Sequence, residues 1–141
     1  MDFEGLQKFL ANPRHDGWRV PGLEAVSVEP GHVVLRLEVT PNLRNFGGTL
    51  HGGAAATLVD VVGSIAIITA DPDGRFGVST DLNLSWLAPA PVGESILIDA
   101  TVLKTGRTLA FVSVDLRREF DGALLVQGRM TKALGTAKLP S

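Results

Sequence analysis

The segment from about His51 to Ala70 constrains this chain more than any other. Ala54-Ala55-Ala56-Thr57-Leu58-Val59 and Val61 through Ile68 are apolar on nearly every side of a helix. Such a helix either crosses a membrane or forms the buried centre of a domain. Asp60 lies in its middle, and a carboxylate is costly at that depth in lipid. The rest of the sequence reads as strand after strand, which needs an apolar element to wrap around. A buried central helix is therefore the expectation, and a membrane span is not.

Around that helix the alternation of residues predicts strands. A short amphipathic helix over 3–11 carries Phe3, Leu6, Phe9 and Leu10 on one face and stops at Asn12-Pro13. An irregular link covers 14–22. Strands are expected at roughly 24–29 and 32–39, with Pro30-Gly31 between them and Val33, Leu35, Leu37 and Val39 on the drier face of the second. Pro41 to Gly48 reads as a loop. Asp71-Pro72-Asp73-Gly74 ends the central helix. Four more strands are expected at about 77–88, 94–104, 108–119 and 123–133, turning at Pro89 to Gly93, Thr105-Gly106 and Asp121-Gly122. The tail after Leu134 is expected to fray. Short connections favour antiparallel neighbours. An α+β fold, with one antiparallel sheet of about six strands curled around one helix, buries that helix on all sides. The 141 residues make one domain, 1–141, with a core over about 20–134.

Composition then removes whole classes of function. The formal net charge is -2, without the basic excess of a nucleic-acid binder. There is no cysteine, so disulfides, thiolate catalysis and Cys-ligated metals are excluded. His15, His32 and His51 are far apart with no metal-ligand spacing, and no metal or other cofactor is expected. No G-x-S-x-G, P-loop or G-x-G-x-x-G motif is present. The first ten residues contain Asp2 and Glu4 and no apolar core, so neither a secretory signal nor a transit peptide is expected and the expected compartment is the cytoplasm.

Three stretches carry candidate chemistry. Asn45-Phe46-Gly47-Gly48-Thr49-Leu50-His51-Gly52-Gly53 opens the central helix. Glycines there leave backbone N–H groups open to an anion or a developing oxyanion, or serve only a tight turn. Asp60 is a carboxylate in apolar surroundings: a general base or nucleophile, or a polar contact across a subunit interface. Gly52 and Asp60 are about 12 Å apart along one helix, too far for one carbonyl to touch both. His51 and Asp60 point about 180° apart. If both ends act on one substrate, they come from different chains, and a two-fold dimer holds two sites. In the strand over 77–88, Ser79, Asp81, Asn83 and Ser85 alternate with Val78, Thr80, Leu82, Leu84 and Trp86, so the first set is a polar face or simply a wet one. The hairpin Lys104-Thr105-Gly106-Arg107-Thr108 sets two cations at a tight turn, suited to phosphates or merely solvated.

Asn45-x-x-Gly48-Thr49-Leu50-His51-Gly52-Gly53 followed by Leu58-Val59-Asp60 resembles the hotdog-fold acyl-coenzyme A thioesterases of the phenylacetate-pathway and thioesterase-superfamily-member-2 type. Gly77-Val78-Ser79-Thr80-Asp81-Leu82-Asn83, Lys104 through Phe111 and Gln127-Gly128-Arg129 extend the resemblance over roughly 20–134. It implies a sheet wrapped around a long helix, subunits paired into a continuous sheet, and a homo-oligomer, usually a dimer of dimers. It implies an enzyme hydrolysing acyl-coenzyme A (acyl-CoA), with Gly52 giving an oxyanion-hole N–H, Asn45 holding the thioester or its water, and His51 beside them. Asp60 of the partner chain acts as base or nucleophile, with Ser79 near it to place the water. Lys104, Thr105, Gly106, Arg107, Thr108 and Leu109 lie along the CoA. Trp86, Leu87, Ala88, Pro89 and Ala90 line its pantetheine and nucleotide, with Asp81 also on the substrate side. Ala133 stands where the family often has a histidine, and the loop after the central helix is about one residue longer. Two other readings stay open: a non-catalytic acyl-CoA-binding oligomer, and an acyl-thioester dehydratase, which usually needs a histidine with its carboxylate.

Overall fold

The computed structural model describes residues 1–12 and 20–139. The link expected at 14–22 and His15 therefore fall largely outside the described residues. The elements, in order, are α1 (Phe3–Ala11), β1 (Glu24–Glu29), β2 (His32–Glu38), α2 (Gly52–Ala70), β3 (Val78–Trp86), β4 (Ser95–Thr105), β5 (Leu109–Arg118) and β6 (Leu124–Ala133). All six strands form one antiparallel sheet in the order β1-β2-β4-β5-β6-β3.

Local chemistry sets the helix ends. Asp2 caps α1 by accepting from the Gly5 N–H at 2.8 Å, and Leu6 is its buried anchor. Phe3, expected on the apolar face, is exposed. The α2 helix starts at His51, whose Nδ1 accepts from the Gly53 N–H at 2.9 Å. It stops where Asp71 turns extended and Pro72 follows.

The core forms between α2 and one face of the sheet. Val33, Leu35 and Leu37 of β2, Ile96, Ile98 and Ala100 of β4, and Val112, Val114 and Leu116 of β5 alternate with outward residues and are buried. The helix comes close because two glycines make room. A Cβ at Gly63 would lie 2.9 Å from the Met130 methyl, and one at Gly128 would lie 2.8 Å from Val59. Gly77 has a different need: its φ is +62°, and a side chain there would collide with the Ala133 carbonyl.

Four expectations are corrected. Sequential strands were expected to pair, but β3 pairs with β6 at the sheet edge, and the link at 87–94 crosses the start of α2 instead of making a hairpin. Its backbone is spent on that crossing: the Leu50 N–H donates to Ala90 O at 2.8 Å and the Val92 N–H to Gly48 O at 3.0 Å. The sheet covers one side of α2 only; the face with Thr57, Asp60 and Ser64 is partly open. A 3-10 turn, Pro41–Leu43, occupies part of the expected loop. The tail past Leu134 is bonded instead of frayed: Phe76 N–H donates to Ala137 O, and Arg75 bridges to Lys138 in the sheet sense.

Candidate active site

The start of α2 is held by a self-bonded loop. Asn45 Oδ1 accepts from the Gly47 and Thr49 N–H groups at 2.9 and 3.1 Å, and its Nδ2 donates to Thr49 Oγ1 at 2.9 Å. The carboxamide thus shapes the loop and retains one N–H for anything else. The His51 N–H donates to Leu43 O at 2.8 Å. Because His51 Nδ1 accepts a hydrogen bond, its proton sits on Nε2, which points away from the backbone. Arg44, Asn45, Phe46 and His51 line an open groove of about 400 Å³. Phe46, which was not singled out as a site residue, is fully exposed there.

Four amides open α2. Gly53 donates to His51 Nδ1 and Ala55 donates to His51 O. Gly52 and Ala54 find no acceptor among the described residues. These are the orphan donors of a helix start, at the positive end of its dipole. Trp86 leans on the same turn, its Nε1–H donating to Gly52 O at 3.3 Å.

Two turns along, Asp60 is partly exposed rather than enclosed in apolar side chains as expected. Ser79 Oγ donates to Asp60 Oδ1 at 2.7 Å, so the two sequence candidates meet within one chain. No cation pairs with Asp60 among the described residues. Directly below it on the helix, Ser64 Oγ donates to Asp60 O at 2.6 Å, and the buried Lys132 Nζ donates to Ser64 Oγ at 2.6 Å.

A bulge is what turns Ser79 toward the helix. Ser79 lies opposite Lys132 and Asp81 opposite Thr131, so Thr80 is the extra residue. Simple alternation put Ser79 on one face with Asp81, Asn83 and Ser85. The bulge separates them: Ser79 joins the helix side, while Val78 becomes 69% exposed. Asp81 and Asn83 lie with Leu103, Phe111 and Arg129 in another groove, away from Asp60.

The remaining candidates form two groups. Trp86 to Ala90 lie beside the start of α2, with Trp86, Leu87 and Pro89 exposed and Ala90 buried. Lys104 to Leu109 make an exposed hairpin closed by a Gly106 N–H to Leu109 O bond of 2.8 Å. Lys104 and Arg107 have no ion-pair partner among the described residues. Ala133, opposite Leu109 and Val78, offers no polar group. No group of His, Asp and Glu among the described residues is arranged to hold a metal.

Sequence reasoning also passed over Asp71 and Arg75 as a unit. Asp71 is buried, and the Arg75 guanidinium hydrogen-bonds it through Nε and Nη2, with the shortest contact 2.8 Å. That bonding holds the Asp71 carboxyl below the usual carboxylate range against the opposing effect of burial. The spacing of four was the available signal, but Pro72 between them hid it.

Known proteins now bear on these groups. The profile of the Thioesterase superfamily matches residues 47–131, which include Gly52, Asp60 and Ser79. Human acyl-coenzyme A thioesterase 13 is 48% identical over 110 residues, covering 78% of each chain. The crystal structure of zebrafish thioesterase superfamily member 2 superposes with a TM-score of 0.90 at 41% identity, covering 96% of this chain and 99% of that one. The Streptococcus mutans protein smu.793, crystallised with acetyl CoA, shares the fold with a TM-score of 0.77 at 24% identity, covering 84% of this chain and 92% of that one. By the family match over the greater part of its length, and by these identities, this chain belongs to the thioesterase superfamily.

Proposed function

We propose that the protein hydrolyses acyl-CoA to the free acid and CoA, at sites that each draw on two copies of the chain. The carrying observation is the separation on α2: free amides at its first turn, and the Asp60–Ser79 pair about 12 Å further along. A thioester carbonyl reaches both only if a second chain brings one of them. The exposed β3 is the natural seam, since its outer edge is unpaired among the described residues and the strand exposes Val78, Leu82 and Trp86. Two such strands side by side continue the sheet and lay the two α2 helices next to each other. A dimer of dimers, implied by the family resemblance, is a further association of such pairs.

In this reading the Gly52 N–H of one chain points at the thioester oxygen. Asp60 of the other takes a proton from water, while its Ser79 hydroxyl, 2.7 Å away, fixes the carboxylate. The water attacks, negative charge grows on the carbonyl oxygen, and its bond to the waiting amide strengthens, so stabilisation is largest in the transition state. Collapse of the tetrahedral intermediate expels the CoA thiolate. The acyl chain runs into a pocket of about 300 Å³ beyond Asp60, walled by Val61, Ile65, Ile68 and Phe76, with Ser64 and Lys132 on its polar side. The Lys104–Leu109 hairpin takes the CoA phosphates.

Complementation tests the shared site. Asp60→Asn removes the base. Gly52→Pro removes the amide proton at the first helical position, where proline fits and where His51 already has a ψ of 135°. Each variant alone is inactive. Mixed after co-refolding, half of the dimers are mixed and each holds one intact site, so about a quarter of wild-type thiol release returns. No recovery from two folded, mixed variants rejects the shared site. The binding-only alternative predicts acyl-CoA binding without thiol release from the wild type. The dehydratase reading is disfavoured because the side-chain partner of Asp60 is Ser79, not a histidine.

A further inference from the structure

The Asp71–Arg75 pair has no place in the chemistry above, yet among the described residues it is a fully bonded ionic group. Asp71 accepts from the Asp73 and Arg75 backbone N–H groups at 3.2 and 2.8 Å, besides the guanidinium. The third guanidinium nitrogen, Nη1, reaches across the fold: it donates to Arg107 O at 2.8 Å and to Gly135 O at 3.3 Å. Arg75 therefore joins the end of α2, the lead into β3, the β4–β5 hairpin and the tail after β6. Its charge is neutralised by Asp71, so it is not itself an anion site. Its reach to the Arg107 carbonyl is an anchor.

The hairpin needs such an anchor. Residues 104–108 lie at a free end of the sheet, exposed, with two cations, Lys104 and Arg107, lacking ion-pair partners among the described residues. Beyond the strand ladders that pair Thr105 with Ala110 and Leu109 with Ala133, the turn is held by Gly106 N–H to Leu109 O, Leu134 N–H to Thr108 O and Arg75. A flexible hairpin would have to be ordered at each binding event, and preorganisation removes that cost. A buried ion pair is weak support for stability but a good way to fix one geometry.

We infer that Arg75 is a positioning residue for the nucleotide end of the substrate: clamped by Asp71, it holds the Lys104–Leu109 hairpin in the place from which Lys104 and Arg107 meet the phosphates. This rests on the assignment of that hairpin to CoA. It makes Arg75 a determinant of CoA affinity through the hairpin, with its own guanidinium spent on Asp71 and the Arg107 and Gly135 carbonyls.

The test compares acyl-CoA with the pantetheine thioester of the same acyl group, which lacks the nucleotide. Arg75→Met should raise KM for acyl-CoA about tenfold, the loss of roughly one charge-assisted hydrogen bond. It should leave kcat, and both constants for the pantetheine thioester, unchanged. Arg75→Lys, which keeps the charge but not the fork, should fall between. If Arg75→Met does not fold, the double variant Asp71→Asn/Arg75→Met removes both charges together and carries the same expectation. An unchanged KM for acyl-CoA in a folded variant, or an equal loss on both thioesters, overturns the inference. Lys104→Ala/Arg107→Ala separates the two layers. If that variant raises KM for acyl-CoA and Arg75→Met does not, only the anchor role fails. If it leaves KM unchanged, the hairpin is not the nucleotide site and both fail.

Discussion

Asp60 and Asp71 sit on the same helix and its cap, eleven residues apart, and the chain treats them in opposite ways. Asp71 has a side chain only 1% exposed, a guanidinium across both oxygens and two backbone amides besides. Asp60 is partly exposed and has one neutral hydroxyl on one oxygen. An acid with every lone pair occupied fixes geometry and keeps its charge. An acid with a single hydroxyl partner keeps lone pairs free to take a proton from water. The contrast separates a carboxylate that holds the fold from one placed to work, even though both belong to one apolar stretch of sequence.

The sharpest way to break this contrast is to neutralise each acid in turn. Asp60→Asn should lower kcat about a thousandfold, within the range for loss of a general base, and leave the thermal midpoint nearly unchanged. Near-normal thiol release across a panel of acyl-CoA chain lengths would remove Asp60 from the mechanism. Asp71→Asn should do the reverse, costing about 3 kcal/mol in a denaturant titration while kcat per folded molecule holds. The pH dependence refines that second result. The Asp71 carboxyl lies lower in the folded chain than in the unfolded one, so its stabilisation is complete above the unfolded value, about 3.9. It is lost as the pH falls through the folded value. The stability gap between wild type and Asp71→Asn should therefore be flat near neutrality and close below about pH 4. A gap that persists undiminished in acid would assign the loss to packing rather than charge. The smallest effect belongs to Ser79→Ala, which removes one hydroxyl bond and should lower kcat about tenfold. If it matched Asp60→Asn in size, Ser79 would be a reacting group rather than a support.

Much of this was legible in the residues. The apolar run with one acid predicted α2 to within a residue, because a helix that is apolar on all sides has few alternatives. The period-two alternation in β2, β4 and β5 gave the strands for the same reason: one face is buried and one is wet. Pairing order was not legible, since local sequence does not say that the link at 87–94 crosses the start of α2 and leaves β3 at the edge. The orientation of Ser79 was hidden for a subtler reason. Alternation assigns Thr80 to the helix side, and nothing in Val78-Ser79-Thr80-Asp81 announces the extra residue that reverses the assignment. Asn45 was expected to hold the thioester or its water, while its loop-holding bonds to Gly47 and Thr49 depend on backbone geometry that one sequence does not display.

The open outer edge of β3 carries a consequence for how the protein would behave when scarce. If each working centre needs two chains, their number rises with the square of the chain concentration at high dilution. Specific activity would then fall on serial dilution and return on concentration, with no effector involved. Synthesis level alone would act as a threshold: below it the chains are folded and idle, above it they hydrolyse.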